Sequence, residues 1–212
     1  MSDFATLIES VTKGDIATAV AETERLLGVG SGVGDILDSG LIVAMNDMGE
    51  RFAKGQVFVP QVLRSAKTMH ECMRLLEPYF KEGHVSPKGR VLIGTVKGDL
   101  HDIGKNLVSM MMEGAGFMIT DLGVDVTPER FAQKAQEVEP DIIAMSALLS
   151  TTMPSMLQTI EALNAAGVRG KVKVMVGGAP VTERFSQEIG ADGYAPDAGS
   201  AVTKAKGLLG IA

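Results

Sequence analysis

The spacing of apolar residues changes once along this chain, at residues 83–89, where the sequence GHVSPKG concentrates turn formers and helix breakers. Before this segment, apolar residues recur at intervals of three and four, the period of an amphipathic helix. After it, short apolar runs alternate with helical patterns, which indicates strands and helices in turn. The sequence therefore predicts a helical domain over residues 1–83, a linker over 84–89 and an α/β domain over 90–212.

The first half predicts a four-helix bundle. Its helices are expected at residues 3–11, 15–27, 33–52 and 60–80, with glycines between them. Met45, Met48, Met69 and Met73 lie on the two long helices, and we expect these flexible side chains to fill gaps in the core. Cys72 is expected to be a small core residue, because no neighbouring sequence feature supplies it with a base.

The second half predicts a parallel sheet covered by helices on both faces. Its strands are expected at residues 90–96, 117–121, 141–146, 173–176 and 193–195, and its helices are expected to begin near Gly104, Thr127, Met153, Val181 and Ala198. Five strands suit the flavodoxin-like (Rossmann-like) strand order.

Charge and composition exclude several function classes. The chain has 212 residues with a formal net charge of −6 and no basic cluster, which argues against nucleic acid or an anionic membrane surface as the main partner. It contains no apolar stretch of about 18 residues, and its N-terminus shows no signal-peptide pattern. Its single cysteine fits a reducing compartment. We therefore expect a soluble cytoplasmic protein.

Residues 91–106, VLIGTVKGDLHDIGKN, run from an apolar strand through a glycine-flanked loop into a helix. His101 in this loop follows the carboxyl end of a strand, where α/β sheets bind ligands. Asp99 is placed to take one ring N–H and leave the other nitrogen free for a metal. Because the chain has only three histidines and one cysteine, in no zinc-like spacing, most ligands of such a metal would come from outside the protein. On these residues alone, an ordinary loop histidine is the commoner interpretation.

The same loop is a poor match to a nucleotide-binding P-loop. Five residues separate Gly98 from the pair Gly104-Lys105, whereas the P-loop has four. Asn106 also stands where a magnesium-binding Ser or Thr is required.

Three loops are expected to gather at one edge of the sheet, because strands one, three and four are neighbours in the flavodoxin-like order. They are residues 98–104, residues 146–152, which are rich in hydroxyl groups, and residues 177–180, which begin with two glycines. Together they predict one side of a slot for an extended group. Two glycines after a strand also form an ordinary tight turn, so this pattern alone leaves both interpretations open.

The chain carries three short motifs in a fixed order: Asp99-x-His101-x-x-Gly104, then Ser146-x-Leu148, then Gly177-Gly178. This set resembles the cobalamin-binding domain of methionine synthase and the corrinoid proteins of methyltransferase systems. In the helical half, residues 45–66, MNDMGERFAKGQVFVPQVLRSA, resemble the helical cap that precedes that domain. The resemblance covers nearly the whole chain.

The resemblance implies a cobalamin or related corrinoid, alternating between methylcob(III)alamin and cob(I)alamin. The corrin ring would supply four nitrogens to cobalt and leave His101 as the protein's metal ligand, in the base-off/His-on form. Asp99 would hold the distal imidazole nitrogen, and Thr152, where the family has a serine, would continue the hydrogen-bond chain toward solvent. Loss of the methyl group would release His101 and let the His101–Asp99 pair take up a proton.

The implied corrinoid contacts extend along all three loops and into the cap. They are Gly98, Asp99, Leu100, His101, Asp102, Ile103, Gly104, Ser146, Leu148, Ser150, Thr152, Gly177, Gly178 and Ala179, with Phe52 and Val59 from the helical half. By the resemblance, Phe52 and Val59 cover the methyl group and exclude water. From the residues alone they would be assigned to the bundle core. For transfer the bundle would move aside, with residues 83–89 as the hinge.

By this resemblance the chain is a methyl carrier, a co-catalytic subunit rather than a complete enzyme, since nothing in it resembles a methyl-donor or thiol-activating site. The implied partners are a substrate-specific methyltransferase, a second methyltransferase acting on coenzyme M or tetrahydrofolate, and a reductive activation protein. The choice of methyl donor would lie in the partner.

Three other interpretations stay open from the sequence. A cobalamin-responsive regulator would use the same two modules, but it is expected to need a DNA-binding segment, for which a chain starting with the bundle has no room. The small subunit of an adenosylcobalamin mutase would share the histidine loop but does not account for the helical half. A flavodoxin-like domain that binds no corrin would make the motifs coincidental.

Overall fold

The computed structural model describes residues 4–81 and 87–211, which divide into two compact units. The first contains the described residues before Lys88, together with Glu113–Gly116; the second contains Lys88–Met112 and Phe117 onward. Residues 84–86 of the expected linker, including His84, lie outside the described residues. The domain limits and the hinge therefore stay predictions.

The helical unit contains the four helices that the sequence predicts. They are α1 (Ala5–Lys13), α2 (Ile16–Gly28), a third helix made of α3 (Val33–Asp35), a π-helical segment (Ile36–Leu41) and α4 (Ile42–Ala53), and finally α5 (Val59–Lys81). Asp15 begins α2 by accepting a hydrogen bond from the N–H of Thr18 at 3.2 Å. Met48, Met69 and Cys72 are buried in the core, whereas Met73 is half-buried.

The π-helical segment is a feature that the sequence pattern did not predict. We expected one continuous helix over residues 33–52, but Ile36–Leu41 widen by one residue per turn. Gly40 in this segment packs tightly against α1, because a Cβ atom there would lie 2.8 Å from Cδ2 of Leu7. A spacing of three and four does not distinguish an α turn from a single wider turn, so this detail needed the structure.

The second unit alternates strands and helices as the sequence predicts. Its strands are β1 (Arg90–Thr95), β2 (Met118–Asp121), β3 (Ile142–Ser146), β4 (Lys173–Gly177) and β5 (Gly193–Ala195). Its helices are α6 (Ile103–Gly114), α7 (Pro128–Val138), α8 (Pro154–Ala165), α9 (Glu183–Glu188) and α10 (Ala198–Leu209). Helix α9 begins two residues later than expected, because Thr182 caps it by accepting from the N–H of Phe185 at 3.1 Å. None of the described helices is long and apolar enough to cross a membrane.

The five strands form one parallel sheet in the order β2-β1-β3-β4-β5, which confirms the predicted flavodoxin-like order. Val91, Leu92 and Ile93 are consecutive and all buried. Since neighbouring residues of a strand point to opposite faces, both faces of the sheet are covered. Helices α7 and α8 contribute Phe131 and Met156 to the core that contains Leu92.

Candidate functional site

The carboxyl ends of three adjacent strands lie at the same level of the sheet. Thr95 at the end of β1 pairs with Ser146 at the end of β3, and Ser146 pairs with Gly177 at the end of β4. The loops that follow these strands therefore start side by side. The structure thus brings together the three segments, 98–104, 146–152 and 177–180, that the sequence predicts to be neighbours.

Asp99 is the fully buried centre of this loop cluster. Its Oδ1 lies 2.7 Å from Nδ1 of His101 and accepts a hydrogen bond from the backbone N–H of His101 at 3.1 Å. Its Oδ2 accepts from the N–H groups of Leu148 at 2.7 Å and Leu149 at 3.2 Å, and from the hydroxyl of Thr152 at 2.8 Å. One carboxylate thus joins the histidine loop to the loop after β3, 49 to 53 residues further along the chain.

The surroundings of Asp99 keep its carboxyl group ionised. Burial by itself would raise the pKa of Asp99, but the N–H of Leu148, the imidazole and N–H of His101 and the hydroxyl of Thr152 together hold that pKa well below its usual range. An ionised carboxylate only accepts hydrogen bonds, so the proton between Asp99 and His101 belongs to Nδ1. In the neutral imidazole, Nε2 then carries the free lone pair.

His101 combines a fixed orientation with exposure. Its side chain is 51% exposed although its Nδ1 is bound to a buried carboxylate. Leu100 and Ile103 beside it are 72% and 78% exposed, and Leu148 and Leu149 across the loop cluster are each 43% exposed. One oriented nitrogen among exposed aliphatic side chains is suited to a large, mostly apolar ligand that needs a single coordinate bond.

The donor set decides which kind of metal site is chemically reasonable. Within the described residues, no group of three or more His, Cys, Asp and Glu side chains is placed to hold a metal ion. A bare ion bound mainly by protein side chains would need such a group. The single imidazole of His101 instead fits a metal that brings its other ligands with it, as a macrocycle does.

The glycines of the site differ in whether the fold itself excludes a side chain at their position. Gly98 has φ +83°, and Gly178 has φ +129° with a Cβ position only 1.8 Å from the carbonyl oxygen of Ala147, so the fold itself excludes a side chain at Gly178. Gly104 is different: its φ is ordinary for a helix, and a Cβ atom there would meet nothing within 4 Å. The packing of the described residues therefore does not require a glycine at 104.

The other predicted contacts lie on the same loops. Asp102 is exposed and accepts a hydrogen bond from Nδ2 of Asn106 at 3.1 Å. Ser150 and Ala179 are exposed, whereas Ser146 and Gly177 are half-buried.

Thr152 is buried, although the resemblance places its hydroxyl on a path toward solvent. Its Oγ1 lies 2.8 Å from Oδ2 of Asp99 and 2.8 Å from the carbonyl oxygen of Leu149. One hydroxyl proton serves only one of these acceptors at a time. The structure thus shows Thr152 as a buried donor to the carboxylate, and the step to solvent stays a prediction.

Phe52 and Val59 belong to the helical unit and are both half-buried. Their predicted role, to cover the methyl group and exclude water, stays a prediction, as do the roles of the other site residues.

Two residues that hold the histidine loop were missed from the sequence. Thr95, fully buried, donates through Oγ1 to the carbonyl oxygen of His101 at 2.9 Å. Asp125 accepts from the N–H of Gly98 through Oδ1 at 2.7 Å. The sequence pattern identifies Thr95 only as a strand residue. The Gly-Val-Asp sequence that ends at Asp125 signals a turn but not its partner, 27 residues away.

Comparison with known families gives two matches that together span both halves. A B12 binding domain model matches residues 89–203, and a second B12 binding domain model matches residues 4–77. The first covers the sheet and all three loops of the candidate site.

Similar proteins share nearly the whole chain. Trimethylamine corrinoid protein 1 from Methanosarcina acetivorans is 40% identical over 203 residues, covering 95% of this chain and 94% of the relative. Dimethylamine corrinoid protein 1 from the same organism is 46% identical over 176 residues, covering 82% of this chain and 83% of the relative. Among solved structures, the methanol:cobalamin methyltransferase complex MtaBC from Methanosarcina barkeri matches with a TM-score of 0.88 at 26% identity, over 98% of this chain and 80% of that chain.

Proposed function

The chain belongs to the family of B12-binding corrinoid proteins of methyltransferase systems, whose cofactor is cobalamin or a related corrinoid, and from this premise we propose that it carries methyl groups from a substrate-specific methyltransferase to a second methyltransferase. When bound, the corrinoid supplies a cobalt centre that is already held by four ring nitrogens and that carries the methyl group. The polypeptide would then have to bind and orient the ring, supply one nitrogen ligand and keep water away.

One observation carries this proposal: Asp99 accepts the Nδ1 proton of His101 at 2.7 Å, while the imidazole is half exposed. This contact fixes the tautomer whose Nε2 lone pair is free, and it also fixes the plane of the ring. His101 is therefore the residue that we propose would hold the cobalt.

The same pair links coordination to protonation. Nε2 either donates its lone pair to a metal or takes up a proton, because one lone pair serves one partner at a time. A proton on Nε2 occupies the lone pair that a metal would need. Release of Nε2 is therefore coupled to proton uptake at this atom.

The three loops and the helical unit provide the remaining proposed contacts. Leu100, Ile103 and Leu148 are exposed and would offer aliphatic surface to the ring, and nothing within 4 Å of a Cβ at Gly104 would obstruct it. Phe52 and Val59, half-buried in the helical unit, are proposed to protect the methyl group from water.

The relatives favour a methylated amine as the methyl source. Those at 40% and 46% identity are named as trimethylamine and dimethylamine corrinoid proteins. The methanol complex supports a methyltransferase as the docking partner. A second methyltransferase, acting on a thiol such as coenzyme M or on tetrahydrofolate, and a reductive activation protein complete the proposed set of partners.

The first test is the visible spectrum of the purified chain reconstituted with hydroxocobalamin, compared among wild type, His101→Ala and His70→Ala. His70 lies on α5 in the helical unit and is exposed, so its replacement controls for the loss of any histidine. Wild type and His70→Ala should show histidine-ligated cobalt, and His101→Ala should retain the corrinoid in the base-off form. A wild-type chain that takes up no corrinoid contradicts the proposal.

The second test addresses the carrier role. The reduced, loaded chain is mixed with a purified trimethylamine or dimethylamine methyltransferase and its amine, and methylation of the cofactor is followed by its spectrum. The proposal expects methylation only when the methyltransferase and the amine are both present. Coenzyme M or tetrahydrofolate is then added with its methyltransferase, and the methyl group should leave.

A further inference from the structure

Asp125 holds an unusual backbone conformation beside the histidine loop. Its φ is +53°, in the left-handed region that residues with a Cβ atom rarely adopt. Within the described residues, the only other non-glycine residue with positive φ is Glu139, at +46°. A left-handed residue other than glycine is conformationally unfavourable, and this conformation persists only where other contacts hold it.

Two hydrogen bonds hold Asp125 in this conformation, and both go to the same dipeptide. Its Oδ1 accepts from the backbone N–H of Gly98 at 2.7 Å, and its own N–H donates to the carbonyl oxygen of Asp99 at 3.0 Å. Gly98 also has a left-handed φ, +83°. Asp125 therefore binds the backbone on both sides of the Cα atom of Asp99, the residue whose carboxylate orients His101.

The rest of the histidine loop is held from the other end. Thr95 binds the carbonyl oxygen of His101 at 2.9 Å, and the N–H of Asp99 donates to the carbonyl oxygen of Val96 at 3.1 Å. The backbone of Asp99 is thus fixed by Val96 and Asp125, and its side chain by the loop after β3. Among the hydrogen bonds of the described residues, the one to the N–H of Gly98 is the only one that the Asp125 side chain makes to this loop. Removal of the carboxylate therefore leaves that N–H without its acceptor.

We propose that Asp125 is a positioning residue for the axial histidine: its carboxylate fixes the Gly98–Asp99 backbone, and through it the Asp99–His101 hydrogen bond that leaves Nε2 free. This inference rests on the proposed function for its purpose, because an oriented Nε2 matters only if it binds a metal. The geometry itself belongs to the ligand-free chain. It is therefore testable without the cofactor.

Three variants separate the carboxylate from the backbone conformation. Asp125→Gly keeps the left-handed backbone and removes the carboxylate, whereas Asp125→Asn keeps an acceptor oxygen and a residue that tolerates this conformation. Glu139→Gly is the matched control, because it makes the same kind of exchange at the other left-handed position, which caps α7 through an N–H to the carbonyl oxygen of Ala135.

The first measurement is nitrogen-15 NMR of the His101 ring in the ligand-free chain, which gives the ratio of the Nδ1–H to the Nε2–H tautomer. Asp125→Gly should lower this ratio about two- to tenfold, the effect of one weakened hydrogen bond. Asp125→Asn and Glu139→Gly should leave it at the wild-type value. A merely structural role would change the melting temperature and not the tautomer ratio, so an unchanged ratio in Asp125→Gly overturns the proposal. An equal shift in Glu139→Gly overturns it as well.

The second measurement is the spectrum of the same variants loaded with hydroxocobalamin. Asp125→Gly should bind the corrinoid with a larger base-off fraction, and Asp125→Asn should restore the histidine-ligated form. If wild type and Asp125→Gly are equally histidine-ligated, the positioning role fails while the proposed function stands. If wild type takes up no corrinoid, the proposed function fails, and the tautomer ratio still decides the role of Asp125 in the loop.

Discussion

The helical unit and the loop cluster of the α/β unit are each stabilised by a different kind of interaction. In the helical unit, Leu7, Met48 and Met69 are buried among other apolar side chains. In the loop cluster, a single buried carboxylate, Asp99, accepts hydrogen bonds from groups that lie far apart in the sequence. Apolar packing depends on volume and tolerates similar shapes, whereas a buried charge depends on particular donors at particular distances. The two regions should therefore respond differently to substitution.

The largest effect is expected for Asp99→Ala. Its loss leaves several part-buried donors of the loop cluster without their acceptor, so we expect the α/β unit to lose about 3–5 kcal/mol of its free energy of unfolding. Asp99→Asn keeps the size and one carbonyl oxygen and should lose less. Urea unfolding of the ligand-free protein, followed by circular dichroism, measures both losses. If both variants are as stable as the wild type, the buried carboxylate is not what holds the loop cluster.

Leu7→Ala is the corresponding change in the helical unit. Leu7 is fully buried and packs against Gly40 of the π-helical segment, so the cavity should cost about 3 kcal/mol. Leu7→Met nearly conserves volume and should cost less than about 1.5 kcal/mol. No comparable substitution exists for Asp99, because no other residue of its size carries a carboxylate. Urea unfolding gives the stability of each variant, and the hydroxocobalamin spectrum reports the ligation of His101. That spectrum should be unchanged in Leu7→Ala; a shift to base-off would mean that the two regions are not independent.

Cys72 provides a pH-dependent measure of the helical unit alone. Burial is the main reason that the pKa of the Cys72 thiol is raised; nearby Glu71 raises it further, and a hydrogen bond with Thr23 opposes the shift. The folded state therefore keeps its proton at a pH where the unfolded state has lost it. This contribution is fully present below the unfolded-state value of about 8.5 and is lost as pH rises above it, by up to about 1.4 kcal/mol per pH unit.

The stability of the helical unit from pH 7 to 10 checks this sign, with Cys72→Ala as the control that lacks the thiol. The wild type should lose more stability than the control above a pH of about 8.5, the ordinary pKa of a thiol in an unfolded chain. As the chain's only cysteine, Cys72 should also react with a thiol reagent only after the helical unit opens. Rapid labelling of the native protein, or equal alkaline losses in both proteins, would show that Cys72 is not enclosed.

Much of the fold was accessible from the sequence because it follows from periodicity. The five strands and the start of α7 at Thr127-Pro128 rest on local spacing and capping. The π-helical segment was not accessible, because one wider turn leaves the apolar spacing almost unchanged.

The candidate site divides in the same way. His101, Asp99 and the three loops were identified from motifs, and the structure brings them together. Thr95 and Asp125 were not identified, because their importance depends on contacts with backbone atoms of the loop, and no residue pattern records such contacts. The backbone N–H groups of Leu148 and Leu149 were missed for the same reason, since every residue except proline has one.

The smallest change in stability is expected for Gly104→Ala. This substitution distinguishes a glycine that the fold requires from one that a ligand requires. Nothing lies within 4 Å of the missing Cβ of Gly104, so Gly104→Ala should raise the stability of the ligand-free protein by about 0.5–1 kcal/mol, the gain of alanine over glycine in a helix. Gly207→Ala on the exposed side of α10 has equally open surroundings and should bring a similar gain. The two variants should differ in hydroxocobalamin affinity: Gly104→Ala should bind on the order of tenfold more weakly because a methyl group enters the ligand's space, and Gly207→Ala should bind as wild type does. Equilibrium titration followed by absorbance decides between them. Equal affinities would show that the ring does not lie against Gly104. A loss only in Gly104→Ala would mean that this glycine is needed for ligand binding, although alanine would favour the helix.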